Sequence, residues 1–481
     1  MEKVNGRKLS LIFIFILILL VIALLVGKLT FSYLGPTLGE DLSNEGEVTA
    51  SGDTLIFTKG SNLSLSATTD NFQTGGSNLS STTNPKVKLV ASSKTNSASA
   101  TYYVGVVINS NSYTYTTSDN TAEVILTIKD ENSNNVTSGV DGLTYVTSGG
   151  VSGFDVTGKT GLFNIKTDYP ISTTSSSTGT THTWTFTLTF VNLGTDQSDN
   201  ENASMDLDVY LQKEKILTLA EHVISQYTGS QGDDSLYYHN STLTNGAGDN
   251  SYRYAGASDS VNNYICLGSD AATCPDANLF RIIGVFGDQT KVIRAKSVGN
   301  QKWDTNGSNT WSSSSLNTYL NGEYLTSLGT LAEKIATTTW KVGGGSWANI
   351  GTSVPKTAYQ YEVGSSASST TYDAKIGLMY VTDYYYSASP SAWTLVGYNG
   401  SDATKDYRAA KTTNWLYLGS DEWTISRNSD TTSTAFCVNS TGYVFLYDVA
   451  SIRGVRPSFN LLSSTTYVSG SGSMSDPVRI K

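Results

Sequence analysis

Histidine is nearly absent, at three in 481 residues. A Ser–His–Asp or Cys–His set needs a His on the catalytic domain. The C-terminal part offers only His222, in a helical stretch, and His239, beside a turn in "LYYHNST". Cysteine is as scarce, also three, and none has a His at ligand spacing, so a zinc site is not expected. Charged residues make up 15%, below the usual quarter. No basic stripe interrupts the net charge of −10, which argues against nucleic acid as a partner. No phosphate-cradling glycine loop follows a strand, and "KVGGGSW" (341–347) reads as a flexible turn. No Asp/Glu pair stands out for glycoside cleavage. "GSQGDDSLYYHN" and "NGAGDNSYRYAG" carry Asp and Asn at oxygen-ligand spacing but read as Asx turns rather than calcium loops. An enzyme, a cofactor and a metal are therefore not expected.

Ser, Thr, Asn, Gly and Tyr take the place of charge, a balance that suits β-rich extracellular proteins. The first residues, "MEKVNGRKLSLIFIFILILLVIALLVGK", set a basic head before apolar residues running almost unbroken from Leu9 to Val26. At 1.5 Å per residue that run spans roughly 27 Å as a helix, close to the hydrocarbon thickness. Lys3, Arg7 and Lys8 precede it and Lys28 follows, which puts the N-terminus inside. A cleaved signal peptide is the competing reading. Its apolar run would be ~7–15 residues and end in an Ala-x-Ala-like site, which "VGKLTFSYLG" does not offer. The expectation is a cytoplasmic tail over 1–8, a retained single-pass anchor over 9–27 and a stalk over 28–52, with the bulk of the chain outside the cell membrane. Cys266 and Cys274, eight apart in "YICLGSDAATCPD", suit a local disulfide in that compartment, with two free thiols the alternative.

Residues 53–212 read as short alternating or β-branched runs between Asn, Gly, Ser and Asp clusters. In "TWTFTLTF", Trp184, Phe186, Leu188 and Phe190 alternate with Thr, the pattern of a half-buried strand. Such strands predict an antiparallel, immunoglobulin-like sandwich without a cysteine pin. Residues 213–481 read as an α+β domain. One helix falls in "KEKILTLAEHVISQYTG", and a second in "WSSSSLNTYLNGEYLTSLG", capped by one of Ser312 to Ser314. Strands are expected over 279–287, 291–297, 374–384, 435–447 and 454–462. The loops are long, which points to function carried on loops.

The runs "SYRYAGAS…NNYICLG…ANLFRIIGVFGD", "WSSSSLNTYLNGEYL", "WTISRNSD", "GVRPSFNL" and "TYVSGSGSMSDPVRI" together resemble bacterial surface proteins whose C-terminal domain has a C-type-lectin-like fold. That domain is similar to the branch shared with formylglycine-generating enzymes and sulfatase-modifying factors. The resemblance covers about 215–481 and implies a binding or adhesion protein whose partner is a host or bacterial surface protein or a glycan. Two other roles are weighed: a structural surface or matrix protein without a specific ligand, and an extracellular enzyme of the formylglycine-generating-like fold. That enzyme chemistry needs paired reactive cysteines, and Cys437 has no partner nearby in sequence. Some members, the variable proteins of diversity-generating retroelements, vary residues on a display surface over a constant scaffold. By that likeness the scaffold is Trp423, Arg427, Ala435, Phe436, Gly442, Tyr443, Gly454, Arg456 and Pro457. The ligand-binding residues are Asn428, Ser429, Asp430, Thr431 and Thr432, then Cys437 and Asn439, then Phe445, Leu446, Tyr447 and Asp448, with Ser451 and Ile452. Along "FCVNSTGYV" side chains alternate, so Cys437 and Asn439 share one strand face. The Tyr-rich "DYYYSASPSAW" (383–393) is a second expected contact stretch.

Overall fold

The computed structural model describes residues 46–50, 52–68, 71–72 and 75–481. The chain divides into two compact units that meet between Lys215 and Ile216. The first is all-antiparallel β. Its 14-residue strand Ala98–Asn111 runs between Gly161–Thr173 and Ser204–Gln212. The alternation in "TWTFTLTF" is realised: Trp184, Phe186, Leu188 and Phe190 are all fully buried, and the Trp184 indole donates to the Tyr102 hydroxyl at 2.8 Å. Strands Thr144–Ser148 and Val151–Asp155 are joined by Gly149 and Gly150 alone. Both have positive φ, +51° and +78°, as a two-residue turn matched to strand twist requires.

The second unit holds two large sheets and two two-stranded ones, Thr338–Lys341 with Thr371–Ala374 and Tyr467–Ser469 with Arg479–Ile480. The larger runs, in spatial order, Leu236–Tyr238, Tyr252–Tyr254, Leu279–Phe286, Gln289–Arg294, Pro457–Asn460 and Gly377–Leu378, with Tyr264–Cys266 also pairing to Leu279–Phe286. The smaller runs Asn300–Lys302, Ile452–Gly454, Glu422–Arg427, Thr434–Val438 and Val444–Asp448, the last at its edge. Leu219–Ser225 is a helix whose Thr218 cap and Glu221 form a capping box. Ser314 caps the helix that starts at Ser315 by accepting from the Asn317 amide at 3.1 Å. Cys266 and Cys274 are joined, their Cα atoms 5.8 Å apart.

Two expectations are corrected here. The described residues are mostly β-sheet, and the longest α-helix among them, Pro355–Glu362, has eight residues. No helix among them is long and apolar enough to cross a membrane. In place of the expected series of transmembrane helix, immunoglobulin-like sandwich and α+β lectin-like domain, the described residues are mostly β-sheet with few, short helices, and none of those helices supports the expected single-pass membrane placement. The expected tail, 1–8, anchor, 9–27, and most of the stalk, 28–52, lie outside the described residues. Second, the strand expected over 374–384 is a strand only at Ala374, the end of Thr371–Ala374, and at Gly377–Leu378, and Val381–Tyr386 is a helix buried along its whole length. A short apolar run buried on all sides has no wet face to reveal its period, so pattern alone does not separate the two forms.

Candidate functional site

The hairpin Thr434–Val438 and Val444–Asp448 pairs Cys437 with Phe445 and Ala435 with Tyr447. The inner strand is covered on both faces: Ala435, Phe436 and Cys437 are 0% exposed and Val438 1%. Cys437 is therefore not a display position, and burial raises its thiol far above the ordinary range. It is expected to resist a thiol reagent such as dithionitrobenzoate in the native protein and to react only on unfolding. Rapid native labelling would return it to the surface. Asn439 is also buried, and it holds the hairpin turn: its Oδ1 accepts from the Thr441 amide at 2.9 Å and its Nδ2 donates to the Tyr447 hydroxyl at 3.0 Å. Asn428, 2% exposed, likewise braces its turn by donating to Thr434 Oγ1 at 3.1 Å.

The other expected contact residues reach solvent. Ser429, Asp430, Thr431 and Thr432 are exposed on one turn. Phe445, Leu446 and Tyr447 are half-buried on the edge strand, Asp448 is exposed and Ser451 is half-buried. Ile452 is 58% exposed and pairs with Lys302 on the far edge strand of the same sheet, apart from the hairpin.

Phe445 and Tyr447 join three rings from elsewhere. Tyr398 lies 4.9 Å from Tyr443 and 5.4 Å from Phe445 between ring centroids; Trp347 lies 5.7 Å from Phe445, and Phe445 lies 5.7 Å from Tyr447. All five are half-buried. Arg453 sits over the Tyr447 ring at 4.0 Å while paired with Asp421, and Arg408 stands 5.1 Å from the Tyr443 ring while paired with Asp406. Trp347 is delivered by "KVGGGSW", which is pinned rather than flexible. Gly344 has φ +61°, and a Cβ there would stand 1.9 Å from the Arg427 carbonyl oxygen, so only glycine lets the loop lie on that strand. The Trp347 amide then donates to Asp430 at 3.1 Å. No spacing in the sequence announces Trp347, Tyr398 or Arg408 as partners of the hairpin.

A second cluster went unread. Lys291 and Asn460 face each other across the pair of strands Gln289–Arg294 and Pro457–Asn460. The Lys291 ammonium bonds Asp383 at 2.6 Å, under the rings of Tyr380 at 4.5 Å and Trp340 at 5.3 Å. Arg253 donates to Asp249 at 2.6 Å and stands 3.8 Å from Asp383. These groups line a cavity of about 190 Å³ closed by Phe286, Tyr359 and Lys341. Burial lowers the Lys291 pKa against the pull of Asp383. Burial also opposes the Asp249 carboxylate, yet Arg253 and Ser251 hold it below the ordinary range. Asp383 belongs to "DYYYSASPSAW", and Tyr384, Tyr385 and Tyr386 beside it are core, not a contact surface. Asp249 comes from an Asx-rich loop and anchors Arg253 and the Tyr359 hydroxyl.

The histidines form no catalytic array. His222 stacks on Tyr467, with centroids 3.5 Å apart, and burial pushes its pKa down to about 4. His239 is buried and lowered well below its usual value, first by burial and then by Arg253; its Nδ1 accepts from the Ala247 amide.

The model of a domain family described only as a domain of unknown function, DUF6273, matches residues 287–463. The match takes in the hairpin, Trp347, Tyr398, Lys291, Trp340 and Asp383, but not Asp249 or Arg253. No curated protein matches the chain. No solved structure matches it either.

Proposed function

We propose that the second unit is a binding module that recognises a partner protein through the row Trp347, Tyr398, Tyr443, Phe445 and Tyr447. The observation that carries this is five half-buried rings in mutual contact, Phe445 and Tyr447 on the edge strand with Trp347, Tyr398 and Tyr443 packed beside them, while Arg453 stands over Tyr447 and Arg408 over Tyr443. Tyr, Trp and Arg are the side chains most enriched at the energetic centres of protein interfaces, and Tyr and Trp offer large contact area at low entropic cost. Edge-to-face contacts between the rings pre-organise the row, so little ordering entropy remains on docking. Two features speak against the formylglycine-type enzyme. Cys266 and Cys274 are bonded to each other, and Cys437 is enclosed.

The test is a binding screen of the full chain against candidate surface proteins and glycans, run beside Phe445→Ala/Tyr447→Ala. A protein hit is expected to weaken by about 2 kcal/mol or more, roughly 30-fold. A hit that the double variant retains at full affinity puts the contact elsewhere. A glycan hit lost in the variant keeps the row and changes the partner class. Self-association lost in the variant makes the row a contact between copies.

A further inference from the structure

We infer that the cavity between Lys291, Arg253 and Trp340 is a binding site for a small monocarboxylate carried on an apolar body, separate from the aromatic row. The case begins with unused hydrogen-bonding capacity. An ammonium has three N–H donors, and Lys291 directs one at Asp383. Arg253 engages Nε with Ser251 at 2.8 Å and Nη2 with Asp249 at 2.6 Å; its Nη1 stands 3.8 Å from Asp383, beyond hydrogen-bond reach. Lys341, also in the lining, has no ion-pair partner among the described residues. Most acceptors, by contrast, are engaged; the exceptions are Asp383 Oδ1, which faces Arg253 at 3.8 Å, and Asn460 Oδ1. Asp249 Oδ2 takes Arg253 and the Tyr359 hydroxyl, and Asp383 Oδ2 takes Lys291 and the Tyr380 amide. What is left over is mainly donors on buried cations.

Charge narrows the ligand. The lining carries three cations, Arg253, Lys291 and Lys341, against two carboxylates, Asp249 and Asp383. Glu362, behind the wall, is taken up by donors from Val381, Thr382 and Ser426, and burial raises its pKa. One monoanion brings the lining to neutrality. A phosphate dianion would leave uncompensated charge beside side chains that are themselves almost fully buried, Lys291, Arg253 and Asp383. A carboxylate fork also matches the free edge of a guanidinium. Shape supplies the rest. The cavity, about 190 Å³, has room for about six waters, hence for about ten heavy atoms of a ligand, and its open mouth lets the remainder of a longer one lie outside. Trp340, Tyr380 and Phe286 give it apolar walls around the ammonium. Asn460 Oδ1, a buried acceptor of this lining without a donor, would meet a hydroxyl or N–H beside the carboxylate.

The same chemistry is offered by a free acid and by the C-terminus of a peptide, and calorimetry on the full chain at low salt separates them. The probes are benzoate, benzamide, acetyl-Gly-Phe and its C-terminal amide. Benzoate is expected to bind at least tenfold more tightly than benzamide. Acetyl-Gly-Phe binding more tightly than benzoate, with its amide silent, assigns the chain end as the source. Lys341→Met removes a cation with no ion-pair partner and is expected to weaken the carboxylate three- to tenfold with the melting temperature unchanged. Lys291→Met is expected to abolish binding; should it unfold, Lys341→Met decides. Benzamide binding as tightly as benzoate, no heat from either acid, or an unchanged affinity in Lys341→Met would each overturn the site.

Discussion

Asp383→Asn is expected to destabilise the second unit by about 3–5 kcal/mol. One carboxylate, 2% exposed, faces two buried cations: Lys291 at 2.6 Å and Arg253 at 3.8 Å. An amide in its place can still accept from the Tyr380 amide, as Asp383 does at 2.8 Å, so the helix cap survives and the charge does not. Lys291 would then sit buried with no counter-charge, and it escapes by losing its proton. The sign follows. Burial already lowers the Lys291 pKa, and losing Asp383 lowers it further, while the unfolded chain keeps the ordinary lysine value. The unfolded state then binds more protons, so the variant's stability rises with pH. Urea unfolding followed by tryptophan fluorescence should show the deficit at pH 7 and its partial recovery toward pH 10. Adding Lys291→Met should recover part of the loss, since one stranded cation is gone. A deficit below about 1 kcal/mol at pH 7 would mean that the cluster is solvated and the ion pairs matter little.

Arg456→Met is the second large effect, again about 3–5 kcal/mol. Arg456 and Glu422 meet at 2.9 Å with each side chain 1% exposed, and the guanidinium also donates to the Leu416 carbonyl at 2.6 Å. Neither Glu422 oxygen has another hydrogen-bond partner, so removing the arginine strands the acid. Burial raises the Glu422 pKa, with Arg456 opposing, and without Arg456 the rise is larger. A raised carboxyl favours the fold at low pH and is lost as pH climbs through its folded value, so this variant should regain stability on acidification from pH 7 toward 5. The double replacement Arg456→Met/Glu422→Leu should come back close to wild type, because two matched apolar side chains leave no buried charge. A double variant no more stable than the single would mean that Arg456 acts through packing, not through charge.

These two ion pairs mark where sequence reasoning ended. "GVRPSFNL" is legible as a turn into a strand: Pro457, with no N–H, suits a strand's first position, and Arg456 before it asks for a buried acceptor. That the acceptor is Glu422 is not legible, because Glu422 lies on the strand Glu422–Arg427 and Arg456 in the turn before Pro457–Asn460, segments that only the fold brings together. Local features fared better, since their causes are local. The Ser314 cap is a short-range hydrogen bond, and the alternation of Trp184 to Phe190 is a property of one strand.

The expected contact surface divides along the same line. From sequence alone 435–447 reads as one strand in which Cys437 and Asn439 share a face, since period two is intrinsic to extended backbone; in the structure that strand ends at Val438, Asn439 is in the turn, and the chain returns beside it as Val444–Asp448. Sequence could not determine whether that face is wet. The tertiary structure covers the inner strand on both sides and leaves its neighbour at the edge, so Cys437 is core while Phe445 and Tyr447 reach solvent. Trp347 and Tyr398 complete the row, and Asp249, Arg253, Lys291 and Asp383 converge on one cavity, only because the sheets and loops bring distant segments together. Periodicity reports which way a side chain points; what it meets there is decided by the packing of elements far away in the chain.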